Sequence, residues 1–402
     1  MTLTLRTLTA DDLPAFQRVF DAAFLLDTQE DRLERWRDVF EPERHHAVFD
    51  GDEMIGGGGV QSREMTVPGA GPVPIAAVTS VGVKPGHRRR GVLTRLMRAQ
   101  LHGLHEEGRE AVAALWASEA GIYPRFGYGF AAQFARLAVP RGAAFHPGVS
   151  LGGERVREVS RDEAMPAMKA VYESLRPTRT GWLNRSDAHW GHHLADEERD
   201  RGGLTAYRYV LHPDGYAVYR IKGDWQERGP RSELHLREIA ARTDEAYAAL
   251  YRYVLDLDMV GEVQFFTASD DPVVHLLADA RLALRSMQDS LWVRLVDVDR
   301  ALVQRRYGSD VDAVLEVHDD FCPWNGGRWR FTVKDGTATV QRVDDDPDVV
   351  LDVQALGAAY LGGTKLTVLA RAQRVREVTE GVLRTLSHAF SGDRDPHCSE
   401  LF

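Results

Sequence analysis

Three consecutive arginines, Arg88, Arg89 and Arg90, stand directly before Gly91 and an apolar run, in the stretch "VTSVGVKPGHRRRGVLTRLM". Residues of these types in this order can form a solvated basic loop, extend a nucleic-acid surface, or hold the phosphates of one ligand. The last reading has a specific physical basis. The first N–H groups of a helix lack internal partners, and the helix dipole adds partial positive charge there. Gly91 leaves room for close approach, and guanidinium groups add charge-assisted hydrogen bonds. The loop is not a Walker A sequence, because the Gly-Lys-Ser/Thr ending is missing. A second group, "HWGHH", spaces His189, His192 and His193 as a helical metal pair would be spaced. No third ligand is apparent, so they read as surface histidines. Gly127-x-Gly129-x-x-Ala132 fits a dinucleotide fingerprint in form, but no strand precedes it.

These residues need elements to position them. A strand, "IAAVTSVGV", runs into Pro85 and the arginine loop. The helix that follows has apolar positions at Val92/Leu93, Leu96/Met97 and Leu101/Leu104 and a stop at Gly108. Upstream come a strand "LTLRTL", a helix capped by Thr9 with Asp11 and Asp12 in its first turn, and strands joined at Asp50-Gly51-Asp52. Gly56 to Gly59 suit a bulge, a close backbone approach or a plain flexible stretch. Downstream lie "EAVAALWAS", "EAGIYPRFGYGF" and "AAQFARLAVP".

Periodicity dissolves into Gly and Pro near residue 150. The second segment then repeats the grammar: a helix near 162–175, strands turning at Pro213-Asp214-Gly215, the strand "SELHLREIAA", a helix and the strand "GEVQFFTA". Its strand-to-helix junction has no glycine and puts Asp244 and Glu245 in the first turn, where they would repel a pyrophosphate. From about residue 295, strands precede helices, the grammar of an α+β unit. The expected domains are therefore 1–148, 149–294 and 295–402.

The chain has 402 residues, 44% hydrophobic and 27% charged, with 50 Lys plus Arg against 60 Asp plus Glu and a formal net charge of -10. That balance argues against broad nucleic-acid binding. Two cysteines, Cys322 and Cys398, are no disulfide framework, and a reducing cytoplasm is the expected home. Neither a signal peptide nor a membrane-length apolar run is visible, so no membrane partner is expected.

The arginine loop resembles that of GCN5-related N-acetyltransferases (GNATs), which hold the acetyl-CoA pyrophosphate on an Arg/Gln-x-x-Gly-x-Gly/Ala loop. Arg88-x-x-Gly91 fits, whereas Leu93 departs from the usual small last residue. "HRRRG" followed by bulky aliphatics resembles the enhanced-intracellular-survival (Eis) branch, as do "SEAGIYPRFGYG", "SLWVRLVDVDRAL" and a tail containing "FCPWNGGRW" and ending in Phe402. The resemblance implies an α+β chain of two tandem GNAT-like domains and a sterol-carrier-like C-terminal domain, assembled as a homohexamer.

It also implies roles. Val81, Gly82 and Val83 would pair with the pantetheine arm of acetyl-CoA. Arg88, Arg89, Arg90, Gly91, Val92, Leu93 and Thr94 would hold its phosphates, and Ser118 and Glu119 would flank the acetyl end. Tyr123 matches the family's general acid, with Tyr128 as its rival, and the carboxylate of Phe402 would be the base. Asp27, Trp36 and Glu400 would line an amine pocket; no metal is implied. The expected substrate is an aminoglycoside or polyamine-like cation, acetylated at one or several amines. The alternatives are protein lysines, or a lipid carried by the third domain.

Overall fold

The computed structural model describes residues 3–402. The first sheet is ordered β1 (Leu3–Thr7), β2 (His45–Asp50), β3 (Glu53–Val67), β4 (Gly71–Val83), β5 (Val112–Trp116), the strand Leu291–Leu295, and β6 (Gly129–Phe130). Helices α1 (Leu13–Phe24), α2 (Glu30–Arg37) and α3 (Val92–Glu107) flank it. In α3, Val92, Leu96, Met97, Leu101 and Leu104 are buried, the spacing of one helical face. The helix stops at Gly108, whose φ of 65° is left-handed.

The glycine run in β3 is a packing device. A Cβ at Gly57 would lie 2.5 Å from the Phe16 ring, and one at Gly59 would lie 2.0 Å from the His45 ring. The flexible reading is thereby set aside.

A second seven-stranded sheet is ordered Leu284–Asp289, β7 (Gln133–Pro140), Val260–Ala268, Ser232–Ala241, Gly215–Lys222, Arg208–His212, Arg157–Val159. The two sheets exchange strands. β7, which sequence order assigns to the segment 1–148, pairs antiparallel with Val260–Ala268, from Glu262 opposite Pro140 to Ala268 opposite Phe134. Conversely, Leu291–Leu295, at the end of the second segment, pairs with β5 and β6 in the first sheet. Burial alternates along β7 and is continuous along Leu291–Leu295, and neither pattern says which sheet a strand joins.

The third domain has a five-stranded sheet ordered Thr337–Arg342, Gly327–Lys334, Val311–His318, Val349–Asp352, Val375–Glu377. Its interior is filled by Tyr307, Phe331 and Phe390, with ring centroids 5.0–5.7 Å apart, and by the buried Arg305, which donates to the carbonyls of Tyr360 and Phe390. The helix Val353–Ala359 sits on the first sheet through backbone approach, since a Cβ at Gly129 would lie 2.1 Å from the Gln354 carbonyl. The last twelve residues leave this domain as a strap between the first two, where His397 donates its N–H to the Thr180 carbonyl at 3.0 Å. Among the described residues, no helix is long and apolar enough to cross a membrane.

Candidate active site

β4 and β5 run parallel but pair only at Ala76–Ala113 and Ala77–Ala114. Beyond Ala77 no residue of β4 pairs with β5, so that edge opens on a cleft. The β3–β4 register also shifts between Gly57 and Gly59, and on β4 Ser80 takes a φ of 55°. Such a bulge twists the strand and re-aims its backbone groups. Val81, Gly82 and Val83 lie on this opened length of β4, and Val81 borders the cavity described below.

At the end of the cleft the chain enters α3 through Arg89 (φ 61°) and Gly91 (φ 78°). No side chain caps the helix at Gly91, so the N–H groups of Val92, Leu93 and Thr94 at its start keep their anion-binding capacity. A Cβ at Gly91 would meet nothing within 4 Å, so the backbone angle, rather than space, requires glycine. Arg88, Arg89 and Arg90 are exposed; Arg88 reaches the Ala23 carbonyl at 3.1 Å and Arg90 pairs with Asp50 at 3.1 Å. This junction fits a pyrophosphate. In the second domain the matching helix, Asp244–Leu255, is capped by the Thr243 hydroxyl and starts with two carboxylates. One of its first donors is already used, and the carboxylates repel an anion from the rest.

A cavity of about 460 Å³ opens beside β4. Phe16, Phe20 and Phe24 of α1, Trp36 of α2, Phe40, Trp116 and Tyr123 supply aromatic walls, and Leu401 and Phe402 close one side. Ser118 borders the cavity as well. Glu119 does not border it, although its charge acts on Tyr123.

Tyr123 is buried and its hydroxyl is pushed up to about 12, first by burial and then by Glu119. Tyr128 packs edge-on against it at 5.8 Å but is wholly buried in the core and does not border the cavity. Geometry therefore separates the two tyrosines.

Two expected pocket residues are placed differently. Asp27 is exposed in the α1–α2 loop and does not border the cavity, because α1 ends at Phe24 and turns outward through Leu25 in a left-handed conformation. Glu400 borders the cavity, but both its oxygens are taken: Oε1 by Arg63, and Oε2 by Arg185 Nε at 2.7 Å. Burial pushes this carboxyl up, yet Arg185 and Arg63 outweigh it and hold it lowered. It is a tether for the strap rather than a free acceptor for a cation.

Sequence reasoning missed the histidines. "HWGHH" forms the short helix Asp187–His193 in the second domain, and His189, His192 and His193 all border the cavity. The Nδ1 of His189 is 2.8 Å from the Ser186 hydroxyl, His192 Nε2 is 2.7 Å from the Arg35 carbonyl, and His193 Nε2 is 2.9 Å from Glu238. The helical spacing was visible, but the partners of His192 and His193 lie on other elements. Arg63, Arg185 and Glu238 also went unremarked, because nothing local marks a buried charge.

A splayed parallel pair, an uncapped glycine junction and a buried tyrosine at the cleft define a GNAT-type acetyltransferase. Family models for an acetyltransferase (GNAT) domain match residues 4–131 and, with a second such model, 181–295, and one for a sterol carrier protein domain matches 298–399. The chain is 37% identical to N-acetyltransferase Eis of Mycobacterium tuberculosis, over 98% of each chain. It is 38% identical to an uncharacterized N-acetyltransferase of Streptomyces avermitilis, over 97% of each. The crystal structure of Eis1 from Mycobacterium abscessus superimposes with a TM-score of 0.87 at 34% identity, covering both chains fully. The chain belongs to the Eis family of GNAT N-acetyltransferases.

Proposed function

We propose that this N-acetyltransferase moves the acetyl group of acetyl-CoA to an amine of a small cation, of the aminoglycoside or polyamine class, at one or several positions. The observation that carries the reading is the cavity, where aromatic walls from two helices of the first domain meet Tyr123 and the end of the chain. Aromatic faces attract ammonium groups without a fixed counter-charge. The walls come from separate domains and enclose a small volume, which suits a small molecule better than a lysine on a folded protein. Lipid carriage is disfavoured because a buried guanidinium, Arg305, and packed rings fill the third domain's centre.

The α3 junction holds the phosphates, and the opened edge of β4 polarises the thioester carbonyl. The carboxylate of Phe402 takes a proton from the attacking ammonium. The neutral amine then forms the N–C bond as the C–S bond breaks, and the Tyr123 hydroxyl gives its proton to the departing thiolate. The second amine proton, released as the amide forms, passes through solvent to restore the tyrosine. With its hydroxyl near 12, Tyr123 stays protonated at every working pH.

The test is CoA release with an aminoglycoside and with a linear polyamine. Tyr123→Phe is expected to lower kcat by about 10²–10⁴-fold. One residue added beyond Phe402 is expected to do the same. Wild-type turnover in the lengthened chain would remove the base, and no turnover with any amine would remove the reading itself.

A further inference from the structure

The second acetyltransferase-like domain keeps a cleft although its helix junction is self-capped. Its strand Ser232–Ala241 pairs in parallel with Val260–Ala268 only as far as Leu236, opposite Phe265. From Arg237 onward the two diverge, as β4 and β5 do. The opening, about 990 Å³, is bordered by Arg237, Glu238, Phe266, Thr267 and the strap.

The strap is fastened along this opening. At its outer end Asp395 accepts from the Ser269 hydroxyl at 2.6 Å, and its N–H donates to Asp270 at 2.8 Å. At its inner end Glu400 enters a line of alternating buried charges: Arg63 from β3, Glu400, Arg185, then Glu238 on the diverging strand. The Arg185 fork meets both Glu238 oxygens at 3.0 and 2.7 Å, and its Nη2 also reaches the Ser399 hydroxyl at 2.9 Å. Its Cζ lies 4.0 Å from the centre of the Tyr172 ring and 4.6 Å from that of Trp190. Tyr216 and His193 complete the shell of Glu238.

Buried ion pairs contribute little net stability against apolar packing, because desolvation offsets their attraction. What the line fixes is position. Phe402 follows Glu400 by two residues, a reach of about 7 Å at full extension. Glu400, Leu401 and Trp116 border both cavities, so the end of the strap is the wall between them.

We propose that the second domain has become a receiver for the C-terminal strap, with Arg185 and Glu238 as positioning residues that set the Phe402 carboxylate in register with Tyr123. The inference rests on the carboxylate acting as base, and its test separates the two.

In the full chain, Glu238→Gln keeps the shape of the side chain and removes its charge. It lowers kcat by about tenfold or more and leaves the KM for acetyl-CoA within about twofold. Arg185→Lys, which keeps charge but loses the fork, falls between wild type and Arg185→Gln. Residues that act through one group are non-additive. In the chain lengthened beyond Phe402, therefore, Glu238→Gln causes no further loss of kcat. Because a buried variant can fail to fold, Ser269→Ala with Asp395→Asn loosens the partly exposed end of the strap and lowers kcat in the same pattern.

Equal loss of kcat from Glu238→Gln in both chains would make the network structural and overturn the proposal. So would wild-type kcat in Glu238→Gln and in the Ser269/Asp395 variant when lengthening alone abolishes turnover. Full activity of the lengthened chain would instead overturn the carboxylate base.

Discussion

Burial holds Tyr123 protonated, and the same cause holds neutral four histidines that border the two cavities. His45, His189 and His193 are pushed down to about 4 and His397 to about 3, in each case first by burial. Their ordinary value is 6.5. Between about pH 6.5 and 4 the unfolded chain therefore binds more protons than the folded one, so stability rises with pH across that window. Read downward, the contribution is complete above about 6.5 and is lost as pH falls through the folded values. Glu238 and Glu400, both held lowered after their arginines outweigh burial, keep their charge through the same range. The expected outcome is a Tm that drops steadily from pH 6.5 to 4.5, with proton uptake on unfolding near pH 5. A Tm that is flat across that interval would contradict the burial of these rings. Little of this was legible in the sequence, since each histidine owes its environment to a distant element. His193, for example, is fixed by Glu238, 45 positions later.

At the scale of elements, the junction between β4 and α3 was legible because everything that makes it is local. The arginines, Gly91 and the start of the apolar face occupy one short stretch, and the chemistry of an uncapped helix start needs no long-range partner. The glycines of β3 were not decidable from sequence, because the Phe16 and His45 rings that crowd them come from other elements. These two uses of glycine respond differently to substitution. Gly91→Ala meets no neighbour within 4 Å but must hold φ near 78°, a strain of about 1–2 kcal/mol. The loop relieves that strain by moving its N–H groups. The variant is expected to fold with a near-normal Tm and to show a KM for acetyl-CoA raised about tenfold, a loss of ground-state binding. Gly59→Ala would instead drive a Cβ into the His45 ring and cost stability, with no selective effect on acetyl-CoA. A Gly91→Ala enzyme with unchanged KM would contradict the requirement for glycine at this conformation in holding the phosphates.

For the whole molecule, the order of segments was legible but their boundaries in space were not. A short strand announces itself by alternation, as in β7, or by an apolar run, as in Leu291–Leu295, and nothing in either says that it completes the other domain's sheet. The third domain locks this arrangement from outside. Arg294, wholly buried on the exchanged strand, pairs with Asp319 at 2.6 Å, and a Cβ at Gly357 would lie 2.3 Å from the Val293 carbonyl. The strap then returns from the third domain to the first two. The cavity at the first domain's cleft is thus lined by residues from all three.

This interdependence makes a direct prediction for a chain ending at residue 148. Such a chain carries the arginine loop, Tyr123 and most of the first sheet, so modular reasoning expects an acetyl-CoA-binding domain. The exchanged strand Leu291–Leu295, all five residues of it buried, would be missing from between β5 and β6. The edge of β5 would lie open while β7 carried a face with no partner, and exposed strand edges template aggregation. We expect this fragment to be insoluble or to lack a cooperative thermal transition. Supplying residues 149–402 as a separate chain during refolding should restore both the transition and acetyl-CoA binding. A soluble 1–148 fragment that melts cooperatively and binds acetyl-CoA alone would show that the strand exchange is dispensable for the first domain's fold.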